Sequence, residues 1–149
     1  MTGLNHALTG ITIAIVVKRP ELALSLAFLS HFILDMTPHS LMDIASKKTF
    51  RGYLIVEAIT MVTVTIVAML LFPDQWFLIG LCAVLAFLPD MLWPFYHNGS
   101  LREKRFFRPF YLFHQKIQWS ETKRGFVFEG LYGAVLIIFL LSSGAHPII

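Results

Sequence analysis

The chain is short of charge and almost devoid of cysteine: 14% of its 149 residues are Asp, Glu, Lys or Arg, and Cys82 is the single thiol. A soluble domain of this size carries about a quarter charged residues, so an ordinary water-soluble globule is excluded. One cysteine rules out a disulfide framework and any Cys-x-x-Cys metal knuckle. Disorder is excluded too, because hydrophobic residues make up 56% of the chain and 14 Phe, 4 Tyr and 3 Trp are among them. The length allows one domain, 1–149. Twelve Lys and Arg against nine Asp and Glu give a net charge of +3, and the basic residues sit between apolar runs. That placement points to lipid phosphates as their partners, with no nucleic acid expected.

What is there in abundance is apolar sequence in five runs. A spanning helix needs roughly 20 mostly apolar residues. Tyr53 to Phe72, Trp76 to Trp93 and Phe126 to Ser142 supply 20, 18 and 17. Trp76, Trp93 and Tyr132 are the aromatics expected near membrane interfaces. Leu4 to Val17 and Glu21 to Asp35 are shorter, at 14 and 15 residues, and read as a buried or partly inserted hairpin. Asn5, His6, Thr9 and Thr12 argue that the first helix is not exposed to lipid all round. No basic leader or small-residue cleavage site marks it as a signal peptide. The expected fold is an all-α integral membrane protein, a bundle of about five helices with the first two short.

If all five runs cross the bilayer, segments 36–52 and 95–125 share one side and hold ten of the twelve basic residues. The positive-inside bias makes that side cytoplasmic and puts the N-terminus in. The long 95–125 connection interleaves Arg with aromatics over residues 105–114, a composition suited to the headgroup level. Within it, Arg102, Arg105 and Arg108 are the expected clamp for an anionic headgroup.

Two stretches look like diverged copies of one unit, residues 28–57 and 85–129. Each has an apolar helix ending in Asp-Met followed by Pro, then a basic segment, Arg-Gly-aromatic and a Glu. The matched pairs are Asp35 with Asp90, Arg51-Gly52 with Arg124-Gly125, and Glu57 with Glu129. The expected relation is a parallel repeat about an axis along the membrane normal.

Ionisable residues within spanning helices are expensive and mark function. On this topology His6, Asp35, Glu57, Asp90 and Glu129 all come to similar depth at the cytoplasmic end. His31 and Asp35, four residues apart, project from one helix face about 40° apart and can share a ligand. Pro38 ends or kinks that helix, so His39 can fold back toward the same place. Imidazole and carboxylate suit zinc, manganese or iron. The expected ligands of a divalent metal ion are His31 and Asp35, followed by His6, His39, Asp90 and His114, with Glu57 or Glu129 as catalytic base or further ligand. The competing readings are a hydrogen bond that satisfies a buried His, carboxylates that merely cap helices or pair with Arg51 and Arg124 in a membrane scaffold, and an ion-binding transporter.

Asn5-His6-Ala7-Leu8-Thr9-Gly10, His31 to His39 and Pro89-Asp90 resemble the motifs of small bacterial and archaeal membrane-bound metal-dependent hydrolases. The resemblance covers the first 40 residues and then Pro89-Asp90 and the Arg-Gly pairs. It implies a prokaryotic inner-membrane protein that uses a divalent metal to hydrolyse an ester or phosphoester. The chain also departs from the family: its His-Arg-Gly-x-Thr-His segment is represented only by Arg51-Gly52 and Arg124-Gly125, without the flanking His, and Ile55 stands where the second His belongs. Either Glu57 and His114 replace those ligands or the metal has been lost. The reading taken forward is a metal-dependent hydrolase acting on a lipid or other small phosphoester, with the transporter as its rival and oligomeric state open.

Overall fold

The computed structural model describes residues 1–40, 47–92 and 104–145, and the expectations for Trp93 and Arg102 lie outside them. The described residues form six α-helices: α1 (Gly3–Val16), α2 (Pro20–Asp35), α3 (Lys47–Leu71), α4 (Trp76–Met91), α5 (Arg108–Ile117) and α6 (Gly125–Ala145). The five apolar runs are α1, α2, α3, α4 and α6. A 3-10 turn, Pro73–Gln75, joins α3 to α4, and two short strands, β1 (His39–Ser40) and β2 (Glu121–Thr122), pair in parallel with His39 opposite Glu121.

Three stretches are long and apolar enough to cross a membrane: Arg51–Leu71, Pro73–Met91 and Gly125–Gly144, with mean hydropathies of 2.4, 1.3 and 2.0. Their outward faces are apolar, as Ile55, Val56, Ile59, Val62 and Leu70 on α3 and Phe126, Leu131, Val135 and Ile138 on α6 all stand exposed. Water does not tolerate such continuous apolar surface, whereas lipid does. At 14 and 16 residues, α1 and α2 are about 21 and 24 Å long, short of an apolar layer about 30 Å thick.

The helix at the centre is α1. It packs most extensively on α4, then on α2, α3 and α6, and it buries Asn5, His6, Ala7, Leu8, Gly10, Ile11, Ala14 and Ile15. This explains its polar content, since each of those groups faces another helix. Small residues let the backbones approach, which is how helices associate where lipid offers no hydrophobic drive. Ala7, Gly10 and Ala14 on α1 meet a core that includes Ala23 and Ala27 of α2 and Cys82, Ala83 and Ala86 of α4. At Gly10 the approach is close enough that a Cβ would collide with the Cys82 carbonyl.

Local signals set the helix ends. Pro20 opens α2, where its missing N–H costs nothing, and Glu21 complements the positive end of the helix. The helix stops at Asp35, and Thr37 Oγ1 donates to the Leu34 carbonyl at 2.6 Å just ahead of Pro38. The chain then forms β1, which lies against the start of α6: a Cβ on Gly125 would overlap the His39 carbonyl. Ser120 Oγ ties the two connections together by donating to the Thr37 carbonyl at 2.7 Å. The connections that follow α2 and α4 thus meet at one end of the bundle, where α1 begins and α2 and α4 finish; Lys47, Lys48 and Arg51, expected in the first of these connections, lie instead in the opening turns of α3. Lys18, Asp74 and Gln75 mark the other end.

Candidate metal centre

Four side chains from three helices converge where α2 and α4 end. They are His31 and Asp35 from α2, Asp90 from the last turn of α4 and His114 from α5, and one ligand atom of each lies within 4.8 Å of all the others. His31 and Asp35 reach the same point because one helical turn separates them, with Nε2 3.3 Å from Oδ2. His114 Nε2 is 2.9 Å from Asp35 Oδ2 and 3.1 Å from His31 Nε2. Asp90 Oδ1 stands 3.7 Å from His31 Nε2 and 3.8 Å from His114 Nε2. A tetrahedral ion held at about 2.0–2.1 Å from each ligand has edges of about 3.3 Å. The five separations, 2.9 to 3.8 Å, bracket that edge. This group can hold a metal ion.

The protonation chemistry points the same way. His31 Nδ1 is 2.9 Å from the carbonyl oxygen of Ala86, which only an N–H can satisfy, so a neutral His31 presents its Nε2 lone pair to the group. This is the outer hydrogen bond that ordinarily fixes a ligating imidazole. His114 Nε2 faces that lone pair. Either a proton on His114, shared with Asp35, or a cation at the centre resolves the encounter. Two carboxylates with two neutral imidazoles carry a charge of −2, which one divalent ion neutralises.

Burial makes compensation necessary. His31 and Asp35 are fully buried and His114 nearly so, whereas the Asp90 side chain is 22% exposed, so the group opens on the Asp90 side. Phe32 walls the other side: its ring packs edge-on against His31 at 5.3 Å, and Phe110 and Phe113 of α5 lie 6.1 and 5.5 Å from it. Those contacts dock α5 on α2 and bring in His114, which the amphipathic α5 buries together with Ile117.

His6, at the start of α1, adjoins the group without being one of the four. It stacks on His31, with ring centroids 4.2 Å apart and planes inclined by 25°. Its Nε2 is 3.1 Å from Asp35 Oδ1 and 3.8 Å from Asp90 Oδ2, while its buried Nδ1 has no hydrogen-bond partner. The Met1 nitrogen also reaches Asp35 Oδ1, at 2.7 Å.

The other expected residues take different places. Glu129 Oε1 accepts from the Thr2 N–H at 2.7 Å, and Glu57 Oε1 accepts from the Gly3 N–H at 2.6 Å and from the Tyr53 hydroxyl at 3.1 Å. The paired glutamates therefore grip successive amides at the head of α1 beside the group. His39 is not brought to it: its Nδ1 donates to the Thr37 carbonyl at 2.8 Å and its Nε2 faces Glu121 at 3.6 Å. Pro38 turns the chain into β1 and so carries His39 away. Arg105 and Arg108 are exposed, on the segment that delivers His114.

The Ala86 carbonyl is a functional partner that side-chain motifs do not reveal. The repeat does contain it, since His31 and Ala86 are 55 residues apart, the same offset that pairs Asp35 with Asp90. Comparison of the chain with protein-family models, curated proteins and solved structures finds no match.

Proposed function

We propose that the protein is a membrane-embedded metal-dependent hydrolase that cleaves a phosphoester, of a lipid or a smaller molecule, at the cytoplasmic face of a prokaryotic inner membrane. The observation that carries this reading is the set His31, Asp35, Asp90 and His114, three of them buried, converging at the end of the bundle where the basic segments lie. Its sequence motifs also resemble those of membrane-bound hydrolases of this kind. Zinc suits two imidazoles and two carboxylates best, with manganese or iron as alternatives. A bound divalent ion would supply Lewis acidity toward a phosphoryl oxygen and lower the pKa of a water toward about 7.

The chain's own groups supply the rest. Asp90 lines the open side and so stands where a headgroup or water enters. Arg105 and Arg108, exposed on the segment that delivers His114, offer guanidinium groups to an anionic substrate. Glu57 and Glu129 are the candidate bases, held in place by the amides of α1. The positive-inside rule orients the assembly, since Arg51, Lys104, Arg105, Arg108, Lys116, Lys123 and Arg124 attend the site end and Lys18 and Arg19 the other.

The test is a screen of lipid and nucleotide phosphoesters with purified protein in detergent and in liposomes, with ion flux followed in the same liposomes. Hydrolysis that requires added Zn2+, Mn2+ or Fe2+ and disappears in Asp35→Asn supports the reading. Ion flux without hydrolysis would replace it with the transporter.

A further inference from the structure

Each of the two aspartates at the centre turns its two oxygens toward different imidazoles. Asp35 Oδ2 and Asp90 Oδ1 face His31 and His114, whereas Asp35 Oδ1 and Asp90 Oδ2 face His6 Nε2, at 3.1 and 3.8 Å. We propose that the centre holds two divalent cations bridged by Asp35 and Asp90, the second one bound by His6 Nε2, Asp35 Oδ1 and Asp90 Oδ2. This rests on the metal-dependent reading above and adds a second ion to it.

The stacking of His6 on His31 supports the spacing. Both rings direct Nε2 at the same carboxylate pair, and their centroids are 4.2 Å apart with planes inclined by only 25°. Ions carried in front of two such rings lie close to the separation of about 3.5–4 Å found in two-metal sites. Coordination number supports it as well. The first ion takes four protein ligands, which is the closed arrangement of a structural site. The second takes three and keeps one position open, as catalytic ions do. The ion beside His6 is thus the one placed to carry water or a phosphoryl oxygen, on the side where Asp90 is exposed.

The His6 ring makes one hydrogen bond among the described residues, between its Nε2 and Asp35 Oδ1 at 3.1 Å, and a cation between the two would take its place. The ring is fully buried, and its Nδ1 lacks a partner. The Met1 nitrogen reaches Asp35 Oδ1 at 2.7 Å and would be displaced by the second cation, whose charge an anionic phosphoester balances when it binds.

The experiment loads the full-length protein with Mn2+, removes free ion by gel filtration, and measures manganese per chain together with the electron paramagnetic resonance spectrum. Two ions per chain with an exchange-coupled spectrum are expected. His6→Asn should bring this to one ion with the six-line signal of isolated Mn2+. One uncoupled ion in the unsubstituted protein overturns the second site and leaves the first standing. No bound ion overturns the metal-dependent reading as well. Two coupled ions retained in His6→Asn would remove His6 from the site. If His6→Asn fails to fold, the spectrum of the unsubstituted protein decides by itself.

Discussion

Replacing Gly10 by Ala tests whether close backbone approach between α1 and α4 holds the bundle together. A Cβ at this position would overlap the Cys82 carbonyl oxygen and stand 2.7 Å from its carbon, where ordinary contact begins at 3.4 Å, so the helices must part by more than about 0.7 Å at that turn. The obstructing atoms are backbone, and no side chain can swing aside. Overpacking of this kind costs about 1–3 kcal/mol. Gly130 on α6 provides the control, because it is exposed and a Cβ there meets nothing within 4 Å. Ala at Gly130 should stabilise by up to about 1 kcal/mol through helix propensity. At roughly 2–4 °C per kcal/mol for a chain of this size, thermal unfolding in detergent should show a lower midpoint for Gly10→Ala and an equal or higher one for Gly130→Ala. Gly10 is one turn from His6 on the helix that packs against Asp90, so the same variant should also bind metal more weakly. A Gly10→Ala protein as stable as Gly130→Ala would refute the packing argument.

Asp35→Asn and His31→Ala should each weaken divalent-metal binding by more than 100-fold, since loss of an outer partner alone costs 10–100-fold, while His39→Ala should leave it unchanged; competition with a chelating dye measures this. Reporter fusions at residues 45 and 115 should lie on one side of the membrane and a fusion at 74 on the other, and opposite locations for 45 and 115 would break the convergence of both basic connections. Glu57→Gln and Glu129→Gln keep an acceptor oxygen for the Gly3 and Thr2 amides, so each should fold with wild-type metal content. Turnover in a phosphoester assay should fall at least 100-fold for whichever glutamate is the base, and full activity in both variants would leave these residues a purely structural task.

The parts of the fold governed by periodicity and length were readable from the chain. The five apolar runs coincide with α1, α2, α3, α4 and α6 to within three residues at each end, except that α3 starts six residues early at Lys47, because long unbroken apolar segments have few alternatives. Asp35, Asp90 and His31 could be placed together for the same reason: helix direction alternates, so residues near the ends of α2 and α4 come to one level. His114 and His39 show the limit. Both are histidines in connections that follow an Asp-ended helix and both are expected ligands, yet only His114 joins the group. The difference is tertiary, since Phe110 and Phe113 dock α5 against Phe32, whereas His39 enters a strand pair that Gly125 leaves room for. The sequence holds the aromatics and the glycine but not the choice of surface that each packs on.

The carboxylates at this level do two kinds of work, and the head of α1 explains why both are needed there. A helix leaves its first N–H groups without partners, and where lipid replaces water those donors must be met by protein. Glu57 and Glu129 meet two of them, at Gly3 and Thr2, and their negative charge complements the positive end of the helix. This fixes α1 at the centre of the bundle and thereby fixes His6 against His31 and Asp35. The two aspartates face imidazoles rather than helix ends: three imidazoles and the Met1 nitrogen surround Asp35, and Asp90 stands partly exposed beside them. A short central helix whose start is held by one pair of acids, beside a second pair set among imidazoles, accounts for the polar residues gathering at one end of an otherwise apolar chain.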